Sequence, residues 1–213
     1  MFTGIVQSTG QVKSIVNGDN FKHFVVIVPL ALLENLQIGA SVANNGVCLT
    51  AVSFTAIDDE FGQIEFDVID ETLRLTNLNV IDLGHEVNIE RSMKAGDEVG
   101  GHMVSGHIQT MATLIERIDT TDNCQLTFSI AKQWQKYLFA KGFVAVNGAS
   151  LTLGDVKQME SNTVFNLHLI PETLGRTNLG VVQKGEQVNI EIDQQTITIV
   201  DSIERIMNER LSN

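Results

Sequence analysis

Hydroxyl- and thiol-bearing residues stand in pairs at two matching places in the sequence. Cys48 and Thr50 follow one Asn-Gly pair, and Ser150 and Thr152 follow another. Residues two apart on a strand point to the same face, so each pair shares one face. At the mouth of a barrel, such a pair could bind or activate a small polar molecule. A structural role fits as well, with Cys48 as a small buried hydrophobe and the threonines as strand formers.

The five histidines of the chain are candidates for proton transfer or metal binding. His102 and His107 frame a glycine-rich stretch that lacks a carboxylate or cysteine at ligand spacing and suits no helix. The sequence therefore predicts no metal site. Phe2 and Ile5 of the first half stand where Val104 and His107 stand in the second. His107 thus distinguishes two otherwise similar pockets and is a candidate acid, base or hydrogen-bonding group.

The chain is an internal duplication, which explains why these residues come in pairs. The motif Glu-Thr-Leu-x-x-Thr-Asn-Leu begins at Glu71 and again at Glu172, and matching residues continue on both sides. Solenoid repeats run about 20–50 residues, so a repeat of roughly twice that length indicates a duplicated domain. The motif is either a capped turn, whose Thr and Asn satisfy local backbone groups, or the carrier of a task shared by both halves.

Many short strand-like segments predict an all-β fold. Each Asn-Gly pair lies between strand-like segments, which is the strongest short hairpin signal. About six strands and one small helix in each half predict two tandem homologous six-stranded antiparallel Greek-key barrels, because closure removes exposed strand edges. The predicted strands lie at 12–16, 24–28, 41–43, 48–52, 64–69 and 87–89, then at 107–116, 124–130, 143–146, 150–156, 163–169 and 187–192, with strand-like residues at 5–6 and short helices at 29–36 and 131–140.

A stripe of apolar residues from Ile199 to Leu211 predicts an amphipathic C-terminal α-helix that belongs to neither repeat. Such a helix either packs back on a domain or joins subunits, and we expect it to join subunits. The predicted domains are an N-terminal barrel at 1–97, a C-terminal barrel at 98–196 and an oligomerisation helix at 197–213.

Composition limits the partners and the compartment. The net charge of −12 over 213 residues argues against nucleic acid or an anionic membrane as a partner, since both attract a basic face. No apolar run approaches the roughly 18 residues of a membrane span, and the N-terminus lacks the basic segment of a secretory signal. Cys48 and Cys124 are not equivalent in the two halves, so neither repeat carries its own disulfide. We expect a cytoplasmic protein.

Six motifs together resemble riboflavin synthase of the α-chain type, in order and over nearly the whole chain. They are Met1-Phe-Thr-Gly-Ile-Val6, Asn45-Gly-Val-Cys-Leu-Thr50, Glu71-Thr-Leu-Arg74, Gly100-Gly-His-Met-Val-Ser-Gly-His107, Asn147-Gly-Ala-Ser-Leu-Thr152 and His168-Leu-Ile-Pro-Glu-Thr173. The resemblance implies a transferase without a cofactor. Its two 6,7-dimethyl-8-ribityllumazine molecules would become riboflavin and 5-amino-6-(D-ribitylamino)uracil, in the last step of riboflavin biosynthesis.

The resemblance also implies an assembly. Members of the family form a homotrimer through their C-terminal helices, and the active site lies between the N-terminal barrel of one subunit and the C-terminal barrel of its neighbour. A reaction between two copies of one molecule requires two similar but unequal pockets, which a duplicated chain supplies. Association with a lumazine synthase is left open.

The resemblance carries site residues onto this sequence. Acid, base or nucleophile roles fall on His107, Ser150, Cys48, Thr3 and Asp193, and Phe2 is expected to stack on the substrate. The N-terminal pocket is expected to comprise Gly4, Ile5, Val6, Ser41, Cys48, Leu49, Thr50, Asp67, Val68, Ile69, Asp70, Glu71 and Thr72. The C-terminal pocket is expected to comprise Gly106, His107, Ile108, Lys141, Ser150, Leu151, Thr152, His168, Leu169, Ile170, Pro171, Glu172 and Thr173. Backbone groups of Ile69 and Ile170 are expected to bind the pyrimidine edge.

A non-catalytic antenna protein that holds a lumazine or a flavin is the alternative. Such proteins resemble the same family but need only one working pocket. Here both Leu-Thr motifs and both Glu-Thr motifs are present, together with Cys48, His107 and Ser150. The sequence therefore favours the enzyme.

Overall fold

The computed structural model describes residues 1–211 of the chain. The last two positions of the predicted helical segment, 212 and 213, lie outside the described residues. Two β-structures of the same plan follow one another, and a long helix ends the described range. None of the helices within residues 1–211 is long and apolar enough to cross a membrane.

The first half is a closed antiparallel barrel, hereafter the N-terminal barrel, whose strand order is β1-β2-β5-β4-β3-β6. Its apolar core includes Phe24, Ile64 and Phe66, which alternate along their strands with more exposed residues. This confirms the predicted six-stranded barrel for this half. Its elements are β1 (Ser8–Asn17), β2 (Phe21–Pro29), β3 (Ser41–Asn44), β4 (Val47–Ala56), β5 (Phe61–Ile69), the helix α1 (Asp70–Leu75) and β6 (Glu86–Arg91).

The second half repeats this plan with one difference, and is called the C-terminal sheet here. Its strand order is β10-β9-β13-β7-β8-β12-β11. The order equals that of the N-terminal barrel if β10 and β11 are counted as one interrupted strand, equivalent to β4. The elements are β7 (Thr110–Asp119), β8 (Cys124–Ala131), β9 (Phe143–Val146), β10 (Ala149–Thr152), β11 (Val156–Gln158), β12 (Asn162–Leu169), the helix α2 (Pro171–Arg176) and β13 (Gln187–Ile192).

The interruption corrects the prediction of one strand over 150–156. The Asn166 side chain enters the gap and accepts a hydrogen bond from the Asp155 N–H at 2.8 Å. A Cβ at Gly154 would lie 2.1 Å from the same Asn166 oxygen, so this approach requires a glycine. The equivalent residue of β4, Val52, lies in a bulge between Ala51 and Ser53. Both halves therefore bend here, and only the second one breaks its ladder.

The predicted short helices at 29–36 and 131–140 are smaller than expected. Each is a 3₁₀ turn, at Leu30–Leu33 and Lys132–Tyr137. Pro29 is not in the first turn of a helix; it ends β2, where it pairs with Phe61, and immediately precedes the 3₁₀ turn. Segments of this length are too short for an α-helix to be stable by itself, so the flanking strands decide their shape.

The Glu-Thr-Leu-x-x-Thr-Asn-Leu motif forms a short helix that ends in a hydrogen-bonded turn. The hydroxyl groups of Thr76 and Thr177 donate to the carbonyl oxygens of Thr72 and Thr173, both at 2.7 Å. This contains the capped turn that the sequence suggested. The asparagine that follows each threonine has a different task, which involves the other half of the chain.

Six buried asparagines join the two halves. The backbone N–H groups of Asn77 and Asn178 donate to the side-chain oxygens of Asn189 and Asn88, both at 2.7 Å. Each contact therefore runs from one half to the other. Two further asparagines, Asn45 and Asn147 of the Asn-Gly turns, complete the network. The task shared by both motif copies is thus structural at its asparagine.

The C-terminal helix α3 (Gln194–Leu211) confirms the predicted helix and begins five residues before Ile199. Ile197 and Val200 pack against the C-terminal sheet. Lys136 and the Tyr137 hydroxyl hold Asp201 at 2.9 and 2.6 Å. The outer apolar stripe is exposed within this chain and comprises Ile199, Ile203, Ile206, Met207 and Leu211.

Candidate functional site

Two short segments ahead of the strands, hereafter the first arm (residues 2–6) and the second arm (residues 104–108), connect the halves. Phe2 and Val104 form an isolated antiparallel bridge. Their N–H groups donate to each other's carbonyl oxygens at 2.7 and 3.0 Å. The strand-like residues predicted at 5–6 therefore belong to an arm and not to a barrel strand.

The first arm lies on the C-terminal sheet. The Gly4 carbonyl accepts a hydrogen bond from the Ser150 N–H at 2.7 Å. Val6 is buried in the core of the C-terminal sheet, among residues that otherwise all belong to the second half. The first arm therefore covers the opposite half of the chain.

The second arm makes the reciprocal crossing. The Gly106 carbonyl accepts a hydrogen bond from the Cys48 N–H at 2.9 Å, and Ile108 packs against the core of the N-terminal barrel. The expected grouping of each arm with the pocket of its own half is therefore wrong. Proximity along the chain suggested that grouping, whereas positive φ angles at Gly4 (73°) and Gly106 (85°) help each arm to turn toward the opposite half.

The N-terminal candidate pocket is on the outer face of β3, β4 and β5. Ser41 pairs with Thr50. The pairing of Ala51 with Phe66 puts Thr50 beside Asp67 on that face. Ile69 is exposed on the same face of β5, and Cys48 is half-buried beneath the second arm. Hydroxyl, thiol and carboxyl groups thus meet on one surface.

Two residues expected in this pocket point the other way. Leu49 and Val68 are buried members of the N-terminal core, because side chains alternate along β4 and β5. Leu169 is likewise in the core of the C-terminal sheet, and Leu151 packs against it. Only the backbone of these positions is available to a ligand on the outer face.

The C-terminal candidate pocket has the same plan with different groups. Ser150 and Thr152 pair with Ala145 and Phe143 of β9. His168 and Ile170 are exposed where β12 ends. The matching strand positions of the two halves thus present similar surfaces.

Lys141 adds an exposed ammonium group near the end of the strand pair β9–β10. Its φ angle is 68°, and the first half has Gly39 there with a φ angle of 88°. The N–H groups of both residues donate to equivalent carbonyls, those of Leu153 and Ala51. A lysine kept in a conformation that favours glycine supports a task for its side chain.

His102 joins the C-terminal pocket, which sequence reasoning missed. Its Nδ1 lies 2.6 Å from Ser150 Oγ, and its ring stacks on Phe143 with centroids 5.2 Å apart. Burial lowers the pKa of His102, while the nearby charge of Asp193 acts in the opposite direction. In the sequence, the spacing of His102 and His107 suggests only a metal pair. The signal in the sequence was the glycine before His102, Gly101. The structure explains this glycine, because a Cβ there would lie 2.6 Å from Ser150 Cβ.

His107, the candidate proton carrier, is exposed on the second arm. Its backbone N–H donates to the Ser105 hydroxyl at 3.2 Å. Because this arm covers the N-terminal barrel, His107 belongs with the Cys48 pocket. Its counterpart Ile5 is exposed on the first arm and belongs with the Ser150 pocket.

Three of the expected catalytic residues have structural contacts. The Phe2 ring is completely buried beside Ala43, Val104 and Ala145, so no ring face is exposed for stacking on a substrate. The Thr3 hydroxyl donates to Glu90 at 2.9 Å. The Asp193 carboxylate accepts hydrogen bonds from the Thr196 N–H at 3.0 Å and hydroxyl at 2.8 Å, which caps α3.

The remaining expected residues stand where α1 and α2 begin. They are Asp70, Glu71 and Thr72 in one half and Pro171, Glu172 and Thr173 in the other. Arg74 donates two hydrogen bonds to Glu71, and this lowers the pKa of the Glu71 carboxyl. The Nε–H of Arg176 donates to Glu172 in the other half. Both carboxylates are therefore paired on the surface, and pyrimidine binding by the backbone of Ile69 and Ile170 stays a prediction.

The two pockets differ in charge and proton chemistry. The first combines the Cys48 thiol, His107 and Asp67, whose carboxylate lies 2.7 Å from His23 Nδ1. In the second, His102 contacts the Ser150 hydroxyl, and His168 and Lys141 are exposed on neighbouring elements. In the part of the chain that the structure describes, no three His, Cys, Asp or Glu residues cluster to hold a metal ion.

A cavity of about 680 Å³ beside the first arm is separate from these groups. Its walls include Thr3, Ile5, Glu90 and Arg91, together with the connecting residues that follow β6. Neither Cys48 nor Ser150 lines it. We place the candidate sites at the motif residues, because thiol, hydroxyl and imidazole groups converge there.

Comparison with known proteins agrees with this architecture. The chain matches the family described as Lumazine binding domain over residues 3–92 and again over residues 105–193. The structure of LumP complexed with 6,7-dimethyl-8-(1'-D-ribityl) lumazine is similar with a TM-score of 0.77 at 26% identity, covering 90% of this chain and 99% of that one. LumP complexed with riboflavin also gives 0.77, at 27% identity, with the same coverage. The fold and the site thus define a protein of two tandem lumazine binding domains.

A riboflavin synthase of Escherichia coli (strain K12) is 45% identical over 211 residues, which covers 99% of this chain and 95% of that protein. The chain belongs to the riboflavin synthase family.

Proposed function

We propose that this protein converts two molecules of 6,7-dimethyl-8-ribityllumazine into riboflavin and 5-amino-6-(D-ribitylamino)uracil. A four-carbon unit passes from one lumazine to the other, and no cofactor is needed. The observation that carries the proposal is the pair of pockets with one plan and unequal groups. A reaction between two identical molecules requires that one be treated as donor and the other as acceptor.

Holding the two ring systems together is the first contribution of such a site. It replaces a bimolecular encounter with a reaction between bound and oriented partners, which is worth several orders of magnitude in rate. The exposed faces around Thr50 and Thr152 are where we expect the two rings to bind. Their strand positions are equivalent, so two identical ligands can bind in the same way.

Proton transfer is the second contribution. The reaction removes a proton from the C7 methyl group of one lumazine and adds a nucleophile at C7 of the other. His102, whose pKa is lowered by burial, is neutral near pH 7 and can accept the proton of the Ser150 hydroxyl. Cys48 and His107 offer a thiol and an imidazole at the other pocket.

Assembly completes the proposal. The exposed apolar stripe of α3 supports a homotrimer joined through these helices, with a site shared between the N-terminal barrel of one subunit and the C-terminal sheet of its neighbour. The compartment we propose is the cytoplasm. Association with a lumazine synthase stays a prediction.

A non-catalytic lumazine or flavin carrier is the second candidate, because LumP shares the fold at 26% identity. The two candidates differ in the number of working pockets. The paired groups at both pockets, above all the contact of His102 with Ser150, favour the enzyme.

The test is to incubate the purified protein with 6,7-dimethyl-8-ribityllumazine alone and to follow riboflavin by absorbance. The enzyme forms one riboflavin for every two lumazines consumed, without an added cofactor or metal. Binding with fluorescence but without consumption supports the carrier instead. If the lumazine neither binds nor reacts, both candidates are wrong.

A further inference from the structure

Each half of the chain carries one buried glutamate that holds the arm preceding it. Glu90 on β6 accepts hydrogen bonds from the Thr3 N–H at 2.7 Å, the Thr3 hydroxyl at 2.9 Å and the Gly4 N–H at 3.1 Å. Glu191 on β13 accepts the equivalent three bonds from the Ser105 N–H at 2.6 Å, the Ser105 hydroxyl at 2.8 Å and the Gly106 N–H at 2.9 Å. The two glutamates are 5% and 2% exposed. The duplication has thus kept one carboxylate clamp in each half.

The clamped glycine also makes the contact with the opposite half. The N–H of Gly106 faces Glu191, and its carbonyl accepts the Cys48 N–H at 2.9 Å. Gly4 likewise stands between Glu90 and Ser150. The fit is close, because a Cβ on Gly106 would lie 2.5 Å from Cys48 Cβ. A single glycine therefore links each carboxylate to the pocket of the other half.

Neither glutamate was assigned a role by the motifs, and neither lies in the pocket that its contacts affect. We propose that Glu90 and Glu191 are positioning residues that act crosswise. Glu191 holds the second arm, with His107, over the Cys48 pocket, and Glu90 holds the first arm over the Ser150 pocket. The part of this inference that concerns ligands rests on the proposed function.

The chemistry of the clamp requires a carboxylate. Both oxygens accept, one from two donors of the arm and the other from the glycine N–H. Glutamine has nearly the same shape but offers one acceptor oxygen and one NH₂ donor. In a Glu191→Gln variant a donor faces a donor, whether the amide turns toward Gly106 or toward Ser105. The arm then detaches more often, although the sheet around it keeps its packing.

Alkylation of cysteine measures this detachment without any ligand. The half-buried Cys48 lies under the second arm, whereas Cys124 is completely buried. Burial also raises the pKa of the Cys124 thiol to about 11, so few thiolates form there at pH 8. Iodoacetamide and mass spectrometry on the native full-length protein therefore report on Cys48, with Cys124 as the internal control.

Losing one hydrogen bond to a charged group changes the equilibrium between the attached and the detached arm by about tenfold. We expect Glu191→Gln to accelerate Cys48 alkylation by about that factor, and Glu90→Gln to change it less than about twofold. Glu90→Gln is the matched control, because it breaks an identical clamp that serves the other pocket. Equal acceleration in both variants, or none in either, overturns the crosswise inference. Ser105→Ala removes one hydroxyl donor and should give a smaller acceleration.

A riboflavin titration, followed by fluorescence, tests the ligand part. Glu191→Gln should weaken binding at a site that Cys48 alkylation blocks, and Glu90→Gln should weaken binding at the site that remains. If no variant and no wild-type protein binds riboflavin while alkylation changes as expected, the clamp stands and the proposed function fails. If riboflavin binds all variants equally and alkylation is unchanged, the clamp fails and the function stands. Unchanged circular dichroism of each variant verifies that it is folded.

Discussion

The burial of His102 determines which proton chemistry it can perform in the C-terminal pocket. The imidazole is stacked on Phe143 and hydrogen-bonded to Ser150, and little of it reaches water. Burial favours the neutral form, which is the form that accepts a proton from a hydroxyl group. The lowered pKa of His102, which is useful for catalysis, should therefore also be measurable in the pH dependence of stability.

Stability at acidic pH should depend on His102. Its pKa is lower in the folded chain than in the unfolded one, so the unfolded chain binds more protons as the pH falls below the ordinary histidine value of about 6.5. The free energy of unfolding should therefore decrease from pH 7 to pH 5, and decrease less in a His102→Gln variant. Urea denaturation at several pH values measures this. His168→Gln, at an exposed histidine, is the control, and a His102→Gln variant with the full wild-type dependence would contradict the expectation.

At this scale the sequence identified which residue types matter but not all of their environments. The Cys48 and Ser150 positions were predictable, because a two-residue spacing on a strand fixes a shared face. The burial of Phe2 and the bonding of Thr3 were not, since their partners lie about a hundred positions away or in the other half. The role of His102 was not predictable either, because its Ser150 partner is distant in the chain.

The two Asn-Gly turns show how one element can meet two requirements. Asn45 and Gly46 have φ angles of 47° and 77°, as the predicted hairpin turn demands. Gly46 also touches its equivalent, because a Cβ there would lie 2.7 Å from the Gly148 nitrogen. The turn thus closes a hairpin and brings the two halves into contact.

A Gly46→Ala variant should separate these two requirements. Positive φ alone disfavours alanine by about 1–2 kcal/mol, and steric overlap adds about 1–3 kcal/mol. Gly84→Ala is the matched control, because its φ angle is 81° and nothing lies within 4 Å of its added Cβ. Urea denaturation should show a clearly larger loss of stability for Gly46→Ala. Equal losses would mean that the contact between the turns contributes nothing.

Element positions were mostly predictable, whereas their interruptions were not. Apolar alternation located the strands of both halves within a few residues. The gap between β10 and β11 depends on the Asn166 side chain, which a periodicity argument cannot see. The predicted short helices were longer than the observed 3₁₀ turns for a related reason. The strands on either side determine where such turns end.

At the scale of the whole molecule, the exposed face of α3 is the feature that a single chain leaves unexplained. Ile199, Ile203 and Ile206 are each about half exposed, although Ile197 and Val200 on the same helix are packed. Exposed apolar side chains in a stripe of this kind mark interaction sites. The homotrimer proposed above should therefore depend on this face.

Ile203→Asp should convert the assembled protein to smaller species in sedimentation velocity, because a charge in an apolar interface is strongly unfavourable. Activity should fall with assembly if the site is shared between subunits. Arg205→Asp, at an exposed polar position of the same helix, should leave both unchanged. An Ile203→Asp variant that keeps its size would show that this face does not join subunits.

The isolated N-terminal half, residues 1–97, should not bind riboflavin as a monomer. It has its own closed barrel and core, but the second arm that covers its pocket is missing. Two copies could cover each other with their first arms, since the two arms are equivalent. Binding should then rise with protein concentration together with dimer formation in sedimentation. A half that starts at residue 7 lacks the first arm and is the control. Tight binding by a monomer of either half would contradict the role of the arms.

The exchanged arms also bear on how such a chain can evolve. In a dimer of identical halves, every substitution appears at both active surfaces at once, so one surface cannot be specialised without altering the other. Joining the halves in one gene removes that restriction, while the crossing arms and the asparagine contacts keep the two halves in equivalent positions. Ile5 and His107 stand at the same place in this geometry, and only one of them can carry a proton. A fused chain can therefore place different groups on its two surfaces, as it does at Ile5 and His107.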